Sequence, residues 1–529
     1  MRLWAKSLRI FNSIREHGKQ SVRRLAERTG LSKSSVHRHL QAMDRRDRHP
    51  ESWLWETAEG RGWLIRLVVA TLFIFGLKRG VGAETISEFF SRLRLEAHVG
   101  CSPSALRGVM QGLEHAILEI AAAWERDGVA HGEIRPIIGA VDETFLQRLM
   151  LVFVELSSGY LLVEEVARDR TYDTWHGLVK ERLKTLGVGV LYLVSDRAKA
   201  LIKLAETGLE CLSIPDLFHL IHELVKSYSL VIFHRLRQAQ QSLNQARERL
   251  ARCQVSGRDP AEVEQAQARV EACEAEVQRW QQVRMAYRTH LANLSLILHP
   301  WRLLGSTRQS SQEVECQLQA ELTALETLVE TNGLPLKKSA LNKVRKQLAG
   351  VSALVDFWWQ MVRQDLEQVA LTPRWSQWIE EVLLPLMYWQ EQLAHTRCPR
   401  RRAEILPGLR AVQNAFERHP FTQQLAPDVL AGWQAWAAAW AKAFQRASSA
   451  VEGRNGYLSQ MHHNHRGLPK RRYKVWSVLH NFDCRAADGT TPASRFFRRE
   501  FPDLFETILS PIDDLPRPRR RNEGLAISD

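Results

Sequence analysis

Between residues 134 and 231 the hydrophobic period switches repeatedly between two and about 3.6 residues, and the order of the switches leaves few folds open. Residues 134–145, 149–156 and 160–166 alternate as strands, the last two joined by the turn Ser157-Ser158-Gly159. A helix is expected over 173–186, then a strand over 190–194, a helix over 197–206, a strand over 209–214 and a helix over 217–231. This β-β-β-α-β-α-β-α order puts three strands in hairpin succession before αβ alternation, and two of its strands, the first and the fourth, stand out. Both carry an aspartate at the C-terminal end, Asp142 and Asp196. Glu143 follows Asp142, but neighbouring strand residues face opposite ways, so only one of the two can join Asp196. Asp196 also has a local role open to it, as N-cap of a helix starting at Arg197.

A formal charge of +14 points to a polyanionic partner, or to a generally basic surface. The charge is concentrated in residues 1–50, with thirteen Lys/Arg against four acids. There Leu25 and Ala26 face a core, Gly30 makes a turn, and Ser32 can cap a helix with Val36 and Leu40 one turn apart. This is helix-turn-helix grammar and is similar to the winged-type modules of bacterial DNA-binding proteins. It would offer Lys33, Ser34, Ser35, His37 and Arg38 to a major groove, unless it is only a basic helical hairpin. A second helix-turn-helix candidate, or simply a helical pair, lies within 51–130, from Ala83 to Gly100 and on to Ser102-Pro103-Ser104.

From about residue 233 to 445 the pattern is wholly helical, beginning with an expected antiparallel hairpin of 235–253 and 261–289. Eight of the seventeen tryptophans fall between 358 and 440; Trp433, Trp436 and Trp440 share one helix face, suited to core packing more than to base stacking. The α/β pattern resumes near 447, and Glu452 opens a helix there. His462, His463 and His465 superficially suggest a metal site. Beside Arg466, Lys470, Arg471, Arg472 and Lys474 they suit phosphate contact or a solvated loop better. Residues 501–529 are expected to form a basic tail.

The seven cysteines include no CxxC pair and their number is odd, which argues against a zinc site and a disulfide framework. No signal-peptide pattern opens the sequence, and the most apolar stretch, 63–77, is short for a bilayer and contains Arg66. The expectation is a cytoplasmic protein, associated with the nucleoid when on DNA and with no membrane partner.

The order of elements in 131–232 is that of a ribonuclease H-like core. With it, Asp142, Asp196 and Glu452 resemble the DDE triad of transposases in the retroviral-integrase superfamily. Asp216-Leu217-Phe218-His219 matches the C/D-x-x-H signature of hAT-like and Mutator-like transposases, which also carry a long helical insertion before the final glutamate. Glu452-Gly453-Arg454-Asn455 is similar to the E-x-x-N pattern of bacterial insertion-sequence transposases. The resemblance covers 135–232 and 446–500; elsewhere it holds only in kind.

It implies an α/β ribonuclease H-like catalytic core (131–232 and 446–500) interrupted by an all-α insertion (233–445), preceded by helix-turn-helix modules (1–50 and 51–130). It also implies two magnesium ions per site, with manganese as a substitute. Asp142 would bridge both ions, with Asp196 and Glu452 each completing one site. His219 and Asp216, one turn apart on the helix after the fifth strand, could orient a phosphate or a metal-bound water, or His219 could be a satisfied, partly buried histidine. The expected partners are double-stranded DNA, as terminal inverted repeats and as target, and further copies of the chain in a homodimer or higher oligomer. Water would attack the scissile phosphate at the element end, and the freed 3′-hydroxyl would attack the target, without a covalent enzyme–DNA intermediate. Two other readings stay open: a regulator or domesticated transposase that only binds DNA, and a structure-selective nuclease of the same fold.

Overall fold

The computed structural model describes residues 3–46, 54–55, 57–131, 136–257, 259–303, 305–369, 371–465 and 472–518. The chain is mostly helical around one mixed sheet of strands β1 (Ile137–Phe145), β2 (Leu149–Glu155), β3 (Leu161–Ala167), β4 (Val190–Ser195) and β5 (Leu212–Pro215). Their spatial order is β3-β2-β1-β4-β5. β1 pairs antiparallel with β2 and parallel with β4, and β5 adds parallel to β4. Gly139 allows the close fit of β1 between its neighbours, because a Cβ there would meet the Phe153 ring at 2.3 Å and Leu193 at 2.9 Å.

The helix Tyr172–Leu186 is capped by Thr171 and buries Trp175, Val179 and Leu183. After β4 the expected helix begins later than the spacing predicts, at Lys199, because Arg197 takes a left-handed conformation (φ 63°) and the chain turns sharply first. After β5 a single helix, Leu217–Val255, runs straight through the expected boundary at 232/233. It therefore belongs to the sheet at one end and to the insertion at the other. Its hairpin partner is Pro260–Ile297, started by Asp259 with proline in the first turn.

The insertion is packed around its aromatic residues, and Trp301, Trp358, Trp359, Trp378 and Trp389 are fully buried. Trp436 and Trp440 both donate to Asp365 Oδ2, at 2.7 and 2.9 Å, so this face is spent on packing. The chain returns to the sheet through Arg446, which donates to the carbonyls of Ser295 and Leu298 at the C-terminal end of the hairpin.

One hydrophobic core runs from Leu64 to Leu515 and includes the helices Ala83–Arg92 and Pro103–His131. The second helix-turn-helix candidate is thus built into the main body. The apolar stretch is longer than expected: Ala58–Lys78 is long and apolar enough, by length and composition, to cross a membrane. More than half of it is buried, and Arg61 and Arg66 on it pair with Asp514 and Glu506, both at 2.7 Å. Those partners also correct the expected tail. The segment packs on the main body, with the helix Leu504–Leu509 and a hydrogen bond from Gly100 to the Pro516 carbonyl (2.6 Å).

The helices Leu3–His17, Val22–Thr29 and Lys33–Arg46 have a separate small core of Ile10, Phe11, Leu25, Ala26, Val36 and Met43. Ser21 caps the second helix, Gly30 (φ 66°) ends it, and Ser32 accepts from Ser35 N to start the third. No strand accompanies these helices among the described residues 3–46.

Candidate active site

Asp142 and Asp196 each lie two residues beyond Ala140 and Val194, the last paired couple of β1 and β4, so both emerge on the same side at the same end of the sheet. Glu143 faces the other way, where it accepts from Trp175 Nε1 (3.2 Å) and pairs with Arg170 (3.1 Å). Asp196 is exposed and is not a helix cap. It accepts instead from Ala198 N at 2.9 Å, which folds the turn under the carboxylate.

The helix Ser449–His465 packs across β1 and β2 and carries Glu452. Two contacts fix its rotation. Arg454 and Glu164 form an almost fully buried bidentate ion pair, with Nη2 to Oε1 at 2.8 Å. One residue on, Asn455 Nδ2 donates to Asp142 Oδ2 at 2.7 Å. Glu164, Val152 and Asp142 are cross-strand partners in one row, so adjacent residues of the helix grip the two ends of that row. The glycines Gly453 and Gly456, which in sequence suggest close approach, face open space.

Beneath the site lies Asp216, with its side chain fully buried. Its Oδ1 accepts from Phe218 N (2.9 Å) and Ser448 N (3.1 Å). Its Oδ2 pairs with His219 Nδ1 (2.6 Å) and accepts from the Ser448 hydroxyl. Every lone pair of this carboxylate is therefore engaged. Asp216 is thus spent on holding His219 and Ser448, and the expectation that it orients a phosphate or a water itself is corrected. His219 is half-buried and turns its other nitrogen to Glu452, Nε2 to Oε1 at 3.6 Å.

The acids sense one another. Burial, with Glu452 and Asp196 nearby, pushes the Asp142 carboxyl up to about 6, opposed by the Glu143 backbone N–H and by His219. The hydrogen bond to Asp216 raises the His219 pKa, with burial opposing and the charges of Asp142 and Glu452 adding. Four groups from four separated elements thus share one electrostatic neighbourhood.

Among the described residues, no three His, Cys, Asp or Glu side chains already close into a metal-binding cluster. The donor chemistry nevertheless suits a hard cation, being carboxylate oxygen throughout. Asn455 Oδ1 adds a buried acceptor with no partner, its amide nitrogen being committed to Asp142.

The remaining candidates divide. Lys33, Ser34, His37 and Arg38 are exposed on the third helix of the N-terminal module. Ser35 is buried beside Val36 and His39, one turn apart on the inward face, and is corrected from groove contact to core. Arg472 is corrected as well. Arg472 is held, largely buried, by Glu114 (2.7 Å), whereas Lys474 lies beside Glu165 (3.1 Å) in an exposed pair that leaves its ammonium open to solvent. Arg466, Lys470 and Arg471 lie outside the described residues. His462, His463 and His465 continue the helix of Glu452 and do not form a loop. Sequence reasoning missed Arg454 and Glu164; two charges inside otherwise apolar faces were the available signal.

Residues 5–47 match the IclR helix-turn-helix domain, and residues 379–524 match a family of unknown function (DUF6399). Neither a curated protein nor a solved structure matches the chain. A DNA-binding helix-turn-helix domain is present, and the second match joins the end of the insertion to the helix of Glu452.

Proposed function

We propose that this protein is a DNA transposase whose ribonuclease H-like core cuts the ends of a mobile element and joins them to target DNA. The observation that supports the reading is that Asp142 and Asp196 emerge on the same side at one end of the sheet, while the helix of Glu452 packs across β1 and turns Glu452 to His219. The strand order β3-β2-β1-β4-β5 supports the fold assignment.

In this reading Asp142, Asp196 and Glu452 would hold two magnesium or manganese ions. When bound, such ions neutralise phosphate charge, activate the attacking oxygen and stabilise the leaving one. Asn455 orients Asp142 through its amide N–H. Asp216 holds Nδ1 of His219, which leaves Nε2 to carry a proton toward Glu452 or a phosphate oxygen. The N-terminal module recognises the terminal repeats as duplex DNA, and two or more copies bring paired ends together.

The test uses DNA flanking the coding region as substrate. With magnesium, the protein cuts at the element ends, and Asp142→Asn loses cutting while binding those ends as before. Retained cleavage in the variant sinks the assignment. A second reading, a regulator that binds DNA without chemistry, is favoured by the separate core of the N-terminal module. It predicts end binding with no magnesium-dependent cutting by the unaltered chain.

A further inference from the structure

The helix Leu217–Val255 leaves the candidate site with an unusual surface. Beyond His219, side chains at helical spacing (Phe218, His222, Lys226, Ser229 and Phe233) follow one face outward. The Phe218 and His222 rings lie nearly parallel, 9° apart with centroids at 5.8 Å. Farther along, the two hairpin helices enclose a groove of about 430 Å³ lined by Lys226, Leu230, Phe233, Arg284 and Arg288. By the helical rise its floor lies roughly 10–20 Å from His219.

Two properties separate this groove from an ordinary solvated face. Leu230 is 62 % exposed and Phe233 48 % exposed, although buried alternatives exist throughout the same helix. Lys226, Arg284 and Arg288 have no carboxylate within ion-pair distance among the described residues. Neighbouring charges do: Glu223 pairs with Lys343 at 3.3 Å, and Arg247 with Glu274 at 2.6 Å. Unpaired cations beside exposed rings suit a polyanion that also offers flat apolar faces. A duplex presents the first and hides the second; a single strand presents both.

We propose that this groove is a track for single-stranded DNA, with phosphates on Lys226, Arg284 and Arg288 and an unpaired base on Phe233. Resting on the transposase reading, it would lead a melted strand along the helix to or from the acids at its base.

The test measures binding of the full chain to labelled oligothymidine in EDTA, where no cutting occurs. Phe233→Ala and the pair Arg284→Gln with Arg288→Gln each weaken binding about tenfold, and the pair flattens the salt dependence by roughly 1.4 in log–log slope. Arg38→Ala, in the helix-turn-helix, leaves oligothymidine affinity unchanged and weakens duplex binding. Unchanged oligothymidine affinity in the groove variants overturns the proposal. So does a shift of the groove variants from oligomer to monomer with DNA binding intact, which would make the groove a contact between copies of this chain. Failure of magnesium-dependent cutting removes the transposase reading and leaves this binding result standing, so the two failures are distinguishable.

Discussion

The carboxylate of Asp216 accepts the backbone N–H of Ser448 at 3.1 Å, across 232 positions of chain, and pairs on its other side with His219. One buried acid therefore sets both the imidazole on the helix Leu217–Val255 and the first turn of the helix bearing Glu452. The insertion lies between these two points in sequence and is bypassed in space.

Replacing Asp216 with alanine leaves Ser448 N–H and His219 Nδ1 unpaired. Thermal or denaturant unfolding should show a loss of about 2–4 kcal/mol, since several buried hydrogen bonds to a charged group go together. Ser448→Ala removes only the hydroxyl bond, should cost about 1 kcal/mol, and should retain cutting. Equal losses in the two variants would show that Asp216 does not organise the pair.

Arg454→Met and Glu164→Leu each strand a buried charge and should each destabilise the protein by about 3–5 kcal/mol. Together they should recover much of that loss, and a double-mutant cycle measures the coupling. Additive losses would mean that the pair does not hold the helix to β3.

The Asp142 carboxyl titrates at about 6 in the folded chain against 3.8 for a free group. A raised carboxyl pKa means that the folded state binds more protons, so this group's contribution falls as pH rises from 3.8 to about 6. Above that window Asp142→Asn should be more stable than the unaltered protein by about 1–3 kcal/mol. Magnesium should raise the melting temperature of the unaltered protein there, and not that of the variant. Parallel stability–pH curves for the two proteins would contradict this account.

In the N-terminal module, Arg38→Ala should weaken duplex binding and reduce its salt slope by about 1. Ser35→Ala should leave DNA binding unchanged, because Ser35 Oγ is buried without a partner. Filter binding across a salt series separates the two, and a large effect at Ser35 would reverse the inward assignment.

Local chemistry made much of this legible in the sequence. Strand alternation located β1–β4 to within a few residues, and Asp142 and Asp196 marked one end of the sheet. The Gly30 turn and Ser32 cap are short-range signals and appear where expected. What escaped is non-local or rotational. Ser34 and Ser35 are chemically identical, and only the phase of the helix decides which one is buried. Arg472 reads as a free cation because Glu114, which holds it, is hundreds of positions away. The helix break expected near 232 is absent because Tyr228, Ile232 and Leu236 keep one buried face through it.

Asn455 reaches Asp142 across 313 positions, and this separation orders events in time as well as in space. At typical translation rates of about 5–20 residues per second, β1 leaves the ribosome roughly 15–60 s before the helix that carries Asn455. A growing chain can thus display its helix-turn-helix module and complete its five strands before Asn455 exists to hold Asp142. A chain interrupted between β5 and the helix Ser449–His465 would carry the DNA-binding module and the sheet without the helix that clamps β1 and β3.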